Sequence, residues 1–224
     1  MFRFGCKGLL AAAVLSLLTG GCNQHDNASP VTHSEQPPSL RPVVALVPVI
    51  DSTKSDLSWN LADEWTASLD YRLSDSDRLY LVDLKTTYET LQKAKPIPNP
   101  FGMDCRWLKK TFPKNEFVVF LEIVEHEEVL RQDKKNPVAP NLCTADLNMG
   151  VRVRVFDLRG DQPVAVLQEI LHDTHFVPRP FTRANFDQIA WGEEGFDISP
   201  MGLAHATFVK EIARRIEDYI LLQK

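Results

Sequence analysis

Histidines, cysteines and paired carboxylates are the side chains whose types and spacing could carry chemistry in this chain. The densest group is His172-Asp173-Thr174-His175. On a strand, His172 and His175 point to opposite faces and cannot converge on one ion. His126-Glu127-Glu128 has no second histidine at helical spacing, and His205 stands on a helix-forming stretch without a carboxylate in register. Protein metal centres gather three or four such ligands, so no metal and no cofactor is expected. A G-x-S-x-G nucleophile elbow is absent. The stretch Asp51-Ser52-Thr53-Lys54-Ser55 contains no glycine and cannot wrap a phosphate as a P-loop does. The acid pairs Asp63-Glu64, Glu127-Glu128 and Glu193-Glu194 read as solvated faces, because the chain carries 30 acidic against 25 basic residues. The expectation is a protein that is not an enzyme.

The first 21 residues supply an address. Arg3 and Lys7 precede an apolar run, Leu9 to Leu18, that is too short to cross a bilayer. The run ends in Leu18-Thr19-Gly20-Gly21-Cys22. Small residues directly before a cysteine resemble the lipobox of bacterial lipoproteins, which implies cleavage before Cys22 and acylation, including palmitate, of its thiol. Thr19 stands where that pattern usually has leucine. More than one acyl chain makes such an anchor effectively permanent, at about 0.8 kcal/mol per buried methylene. Asn23 after the cysteine resembles the sorting signal for the outer membrane. Residues 22–42 are polar and proline-rich, a tether that can reach up to about 65 Å. The resemblance implies that the remaining domain, residues 43–224, faces the periplasm. In that oxidising compartment the two cysteines left over, Cys105 and Cys143, are expected to pair. Closing so long a loop would stabilise by about 4 kcal/mol on the chain-entropy model.

Composition excludes several classes. With 44% apolar residues and a net charge of −5, the chain can build a core, and gripping nucleic acid is not its business. Val43 to Ile50 reads as a strand interrupted by Pro48. Leu61, Trp65, Leu69 and Leu73 recur every four residues, the stripe of an amphipathic helix with Ser58 as its expected N-cap. Arg78 to Asp83 reads as a strand, and Thr86 to Lys95 and Asp104 to Phe112 as short helices. Strands follow at Phe117–Val124, Leu147–Val155 and Pro163–Thr174. Ser199-Pro200 then opens a last helix with Leu203, Ala206, Val209, Ile212, Ala213, Ile216, Tyr219 and Ile220 as its buried stripe. The fold class is α/β: one mixed sheet of about five strands flanked by helices, in the order β-α-β-α(-α)-β-β-β-α.

The strand Val43-Ala45-Leu46-Val47-Pro48, the helix ending at Ser68-Leu69 and the strand Arg78-Leu79-Tyr80-Leu81-Val82 resemble the opening of a group of envelope proteins. The group includes the curli-secretion lipoprotein, lipoprotein activators of penicillin-binding proteins and the N-terminal domain of TolB. The resemblance implies a non-catalytic adaptor or accessory component of an envelope complex. It also implies homo-oligomerisation, since some of these relatives form rings. Contact residues are sought in the aromatic-rich stretch 176–198, at Phe181, Phe186 and Trp191, and around Phe101 and Trp107, the latter beside Lys109 and Lys110. The alternative use of the same rings is to stack on a small ligand or glycan. Both readings need the anchor. Radiolabelled palmitate is expected to enter the protein, and Cys22→Ala to abolish labelling and release the protein from the membrane fraction.

Overall fold

Pro48 has no N–H to give to a sheet, and the apolar run that begins at Val43 divides there. In a computed structural model of the chain, residues 41–94, 97–132, 144–177 and 189–223 are described. Cys22 with the signal and tether before residue 41, and Cys143, Phe181 and Phe186, lie outside them. The run yields two strands, β1 (Val43–Leu46) and β2 (Ile50–Asp51). Between them, Val49 turns its N–H to the Thr66 hydroxyl at 2.9 Å. β3 (Tyr80–Val82) and β4 (Phe117–Arg131) flank β1 in parallel, and β2 pairs with β4 farther along. β5 (Thr144–Asp157) and β6 (Val164–Val177) continue the sheet antiparallel. The result is a six-stranded mixed sheet in the order β3-β1-β4-β5-β6, with β2 beside β4. Splitting of the first run accounts for the strand beyond the five expected.

Two long helices cover one face. α1 (Leu61–Asp75) starts at Asn60, whose side chain accepts the Asp63 N–H at 3.2 Å, two residues later than the expected cap. Its stripe Leu61, Trp65, Leu69 and Leu73 is fully buried. α4 (Pro200–Leu222) begins as expected, with the Ser199 hydroxyl accepting the Gly202 N–H at 2.9 Å and Pro200 in the first turn. Leu203, expected inside, is exposed. It shares a helix face with Thr207, Lys210 and Arg214, and Phe208 takes the interior place instead. These helices pack on Val119, Leu121 and Ile123 of β4 and on the odd-numbered residues Ala145 to Val155 of β5.

The opposite face has only short cover. α2 (Leu84–Lys93) and α3 (Trp107–Thr111) enclose a second core of Ala45, Val47, Leu91, Leu108, Phe112, Val118, Phe120, Phe156 and Leu158. Beyond Phe120 that face is lined by charged pairs, Glu122–Arg152, Glu125–His172 and Arg131–Asp146. A bulge in β4 between Ile123 and Glu125 shifts the alternation by one residue, so that His126 and Leu130 turn towards the α1–α4 side. None of the helices among the described residues is long and apolar enough to cross a membrane.

The close approach of α4 to the chain before it makes one glycine indispensable. A Cβ on Gly202 would lie 2.0 Å from the Phe196 carbonyl oxygen. Gly202→Ala is therefore expected to destabilise the domain by about 3 kcal/mol in urea unfolding. Gly160→Ala, with its nearest neighbouring atom 3.8 Å away, is expected to leave the midpoint unchanged.

Candidate functional site

Asp83 ends β3 and caps α2, its carboxylate accepting the Thr86 N–H at 2.9 Å. This cap aims a threonine-rich face of α2 at α3. Thr86 donates its hydroxyl to Asp83, and Thr90 donates to the Thr86 carbonyl at 2.8 Å. Thr87, only 1% exposed, has no partner for its hydroxyl among the described residues. Across the gap, Trp107 on α3 rests edge-on against Phe120, with ring centroids 6.0 Å apart. Its indole N–H is buried and unpartnered, and so is the side-chain amide nitrogen of Asn115, just before β4.

The three residues that carry these groups line one cleft of about 860 Å³ between α2, α3 and the ends of β1 and β3. Its apolar wall includes Val43, Val82, Pro98 and Phe112, and its rim carries exposed Lys93, Lys110 and Lys114. The volume falls within the range of small-molecule sites, roughly 300–1,000 Å³. A buried polar group without a partner costs about 1–3 kcal/mol. Three residues with such groups meet at one concavity.

A second polar group lies within the α1–α4 core, where Glu64, His205 and His126 are linked in a chain, while the Trp65 indole N–H beside His205 has no partner among the described residues. Glu64, 2% exposed, accepts the Trp59 indole N–H at 2.7 Å and the His205 Nδ1–H at 2.7 Å. His205 Nε2 stands 2.9 Å from His126 Nε2, a bond that needs one ring to donate and the other to accept. Burial, and then the neighbouring His205, push the His126 imidazole from 6.5 down to about 4, against the opposing pull of Asp51 and a backbone hydrogen bond. The chain of contacts ties α1, α4 and β4 together. It also corrects two expectations: Glu64 is not on a solvated face, and His205 does have a carboxylate in register. That carboxylate comes from another helix, 141 positions away in the chain.

The aromatic residues singled out from the sequence scatter. Trp107 and Lys110 reach the cleft, whereas Lys109 turns away to the Gly160 carbonyl. Phe101 lies under the Arg152 guanidinium, 4.2 Å from ring centroid to carbon, on the charged side of the sheet. Trp191 is 37% exposed and does not line the cleft. Phe196, five residues on, is a core residue stacked edge-on against Trp59. Phe181, Phe186 and the anchor Cys22 fall outside the described residues. Cys105 is half-buried and shares a surface hollow with Pro163, beside the Asp157 end of β5. Its expected partner Cys143 is outside the described residues. Sequence reading passed over Thr87, Asn115, Lys93 and Lys114. The visible signals were the threonine cluster at 86–90 and the basic run from Arg106 to Lys114. No group of three or more histidine, cysteine or acidic residues is placed to hold a metal among the described residues.

A model of a family of unknown function, DUF7499, matches residues 31–224. No curated protein matches the chain. Among solved structures, the hypothetical protein CT253 from Chlamydia trachomatis is 28% identical, with a TM-score of 0.63 over 80% of this chain and 98% of that one. The lipoprotein GNA1162 from Neisseria meningitidis is 14% identical, with a TM-score of 0.44 over 77% and 99%. The PelC dodecamer from Paraburkholderia phytofirmans is 9% identical, with a TM-score of 0.40 over 77% and 84%.

The half-buried His126 makes stability depend on pH with a definite sign. The unfolded chain takes up this proton near pH 6.5 and the folded one near pH 4, so the unfolded state binds more protons in between. The contribution is complete above pH 6.5 and is lost as pH falls towards 4, about 3 kcal/mol in all. Urea midpoints measured from pH 7 to pH 4 are expected to fall accordingly, and His126→Asn to flatten the curve in that window.

Proposed function

The chain belongs to DUF7499, and we propose that it is a lipid-anchored protein of the bacterial envelope that binds a small molecule in the α2–α3 cleft without transforming it. The anchor rests on the sequence Leu18 to Cys22 and the polar segment after it. The opening that resembles the curli-secretion and penicillin-binding-protein-activator lipoproteins is consistent with that address. The observation that carries the binding role is the convergence of Thr87, Trp107 and Asn115, each with a polar atom left unpaired, on one concavity. A polar group kept unpaired within a domain works against folding, and a ligand that supplies its partner removes the penalty.

A second reading, an adaptor within an envelope complex or a homo-oligomer, is favoured by one feature. β6, fourteen residues long, is the last strand of the sheet, and no strand pairs with its outer edge among the described residues. Such an edge can accept a strand from another chain.

Thr87→Val separates the binding role from a structural one, because it removes the hydroxyl and keeps the shape. If the hydroxyl serves a ligand, the variant is expected to gain up to about 1 kcal/mol of stability and to lose the small-molecule mass that native mass spectrometry finds on protein extracted from membranes. A destabilised variant, or one that keeps the same adduct, contradicts the binding role. Crosslinks to envelope proteins that map to β6 and persist in Thr87→Val support the adaptor instead.

A further inference from the structure

We infer that the cleft is built for a small organic anion, a phosphate or carboxylate carried on an apolar body; this rests on the binding role proposed above. The inference comes from the charge of the lining. Lys93 from the end of α2, Lys110 from α3 and Lys114 from the segment before β4 surround the opening, and among the described residues no acidic side chain lines the cleft. The chain as a whole has 30 acidic and 25 basic residues, so this lining is opposite in sign to the net charge.

Two acids beside the cleft have partners elsewhere. Asp83 caps α2, and Glu116 accepts the Val43 N–H at 2.7 Å. Neither neutralises the lysines from within the cleft. Below the rim, the unpartnered Trp107 indole can only donate a hydrogen bond, the Asn115 amide nitrogen also donates, and the Thr87 hydroxyl does either. Donors that converge beneath three ammonium groups call for a ligand rich in acceptors and negatively charged. The wall formed by Val43, Val82, Pro98 and Phe112 is where the apolar part of such a molecule packs. A neutral sugar would satisfy the donors but would leave the lysines without a role.

The Trp107 indole N–H is the reporter. The full-length chain, nitrogen-15-labelled and held in dodecyl maltoside, gives an indole signal for Trp107 that is assigned by its loss in Trp107→Phe. Phenyl phosphate is expected to shift it, phenyl glucoside to bind at least about tenfold more weakly, and the Lys93→Gln/Lys110→Gln/Lys114→Gln variant to lose about tenfold in phenyl phosphate affinity. Raising salt is expected to weaken phenyl phosphate binding in the parent more than in that variant. Equal binding of phenyl glucoside, or an unaffected triple variant, overturns the anion while leaving the cleft a binding site. Inorganic phosphate binding as tightly as phenyl phosphate overturns the apolar body. A Trp107 signal that no probe moves overturns the inference, and the mass measurement on Thr87→Val then decides separately whether the cleft binds anything. Phosphatidylglycerol vesicles that displace phenyl phosphate identify a lipid headgroup as the source of the anion. Vesicles that fail to do so assign it to a soluble compound.

Discussion

The two faces of the sheet receive unequal cover, and most of what distinguishes this molecule follows from that. β4, β5 and β6 run for fifteen, fourteen and fourteen residues, so each spans more than about 45 Å. On one side α4, twenty-three residues and about 35 Å long, lies with α1 along much of that length. On the other, α2 and α3 offer about 15 Å and 8 Å of helix. Two short helices cannot close over such a surface. They cover the Phe117–Phe120 end of β4 and leave a gap between themselves. The uncovered remainder of the sheet meets water, and from Glu122 onwards polar pairs such as Glu122–Arg152 and Arg131–Asp146 stand among exposed Val129, Ile170 and Phe176.

The polar groups on the two sides show opposite solutions to burial. Under α1 and α4, a carboxylate in the core would be prohibitive alone, and Glu64 is held by Trp59 and His205 with His126 behind them. That assembly is saturated and contributes cohesion among three elements. Under α2 and α3, Thr87, Trp107 and Asn115 are left without partners beside open volume. A closed hydrogen-bonded network rigidifies, whereas an open one awaits a ligand.

Much of the architecture was legible in the sequence because burial writes itself as periodicity. The four-residue repeat Leu61-Trp65-Leu69-Leu73 and the alternation around Val151-Val153-Val155 each state which face is inside. Ser199-Pro200 marked the start of α4, since a hydroxyl cap and a proline without N–H suit one place on a helix. Misplacements came where a neighbour overrides the local pattern. Leu203 is apolar but sits on the solvent side of α4. Glu64 is acidic but interior. The bulge after Ile123 reverses the alternation and so hides the inward turn of His126 from any period-two reading.

What the chain of residues determined by itself was the local part: which stretches become strands and helices, and the mixed sheet. Those depend on side-chain periodicity, capping groups and short motifs, all of which act within a few residues. Tertiary structure alone decided which polar atoms find partners. Glu64 meets His205 across 141 positions, and Trp107 faces Thr87 only because α2 and α3 are laid against the same end of the sheet. Hydrogen bonds and electrostatic fields act over a few ångströms of space irrespective of separation along the chain, so the site and its charge become visible only once the fold has brought its walls together.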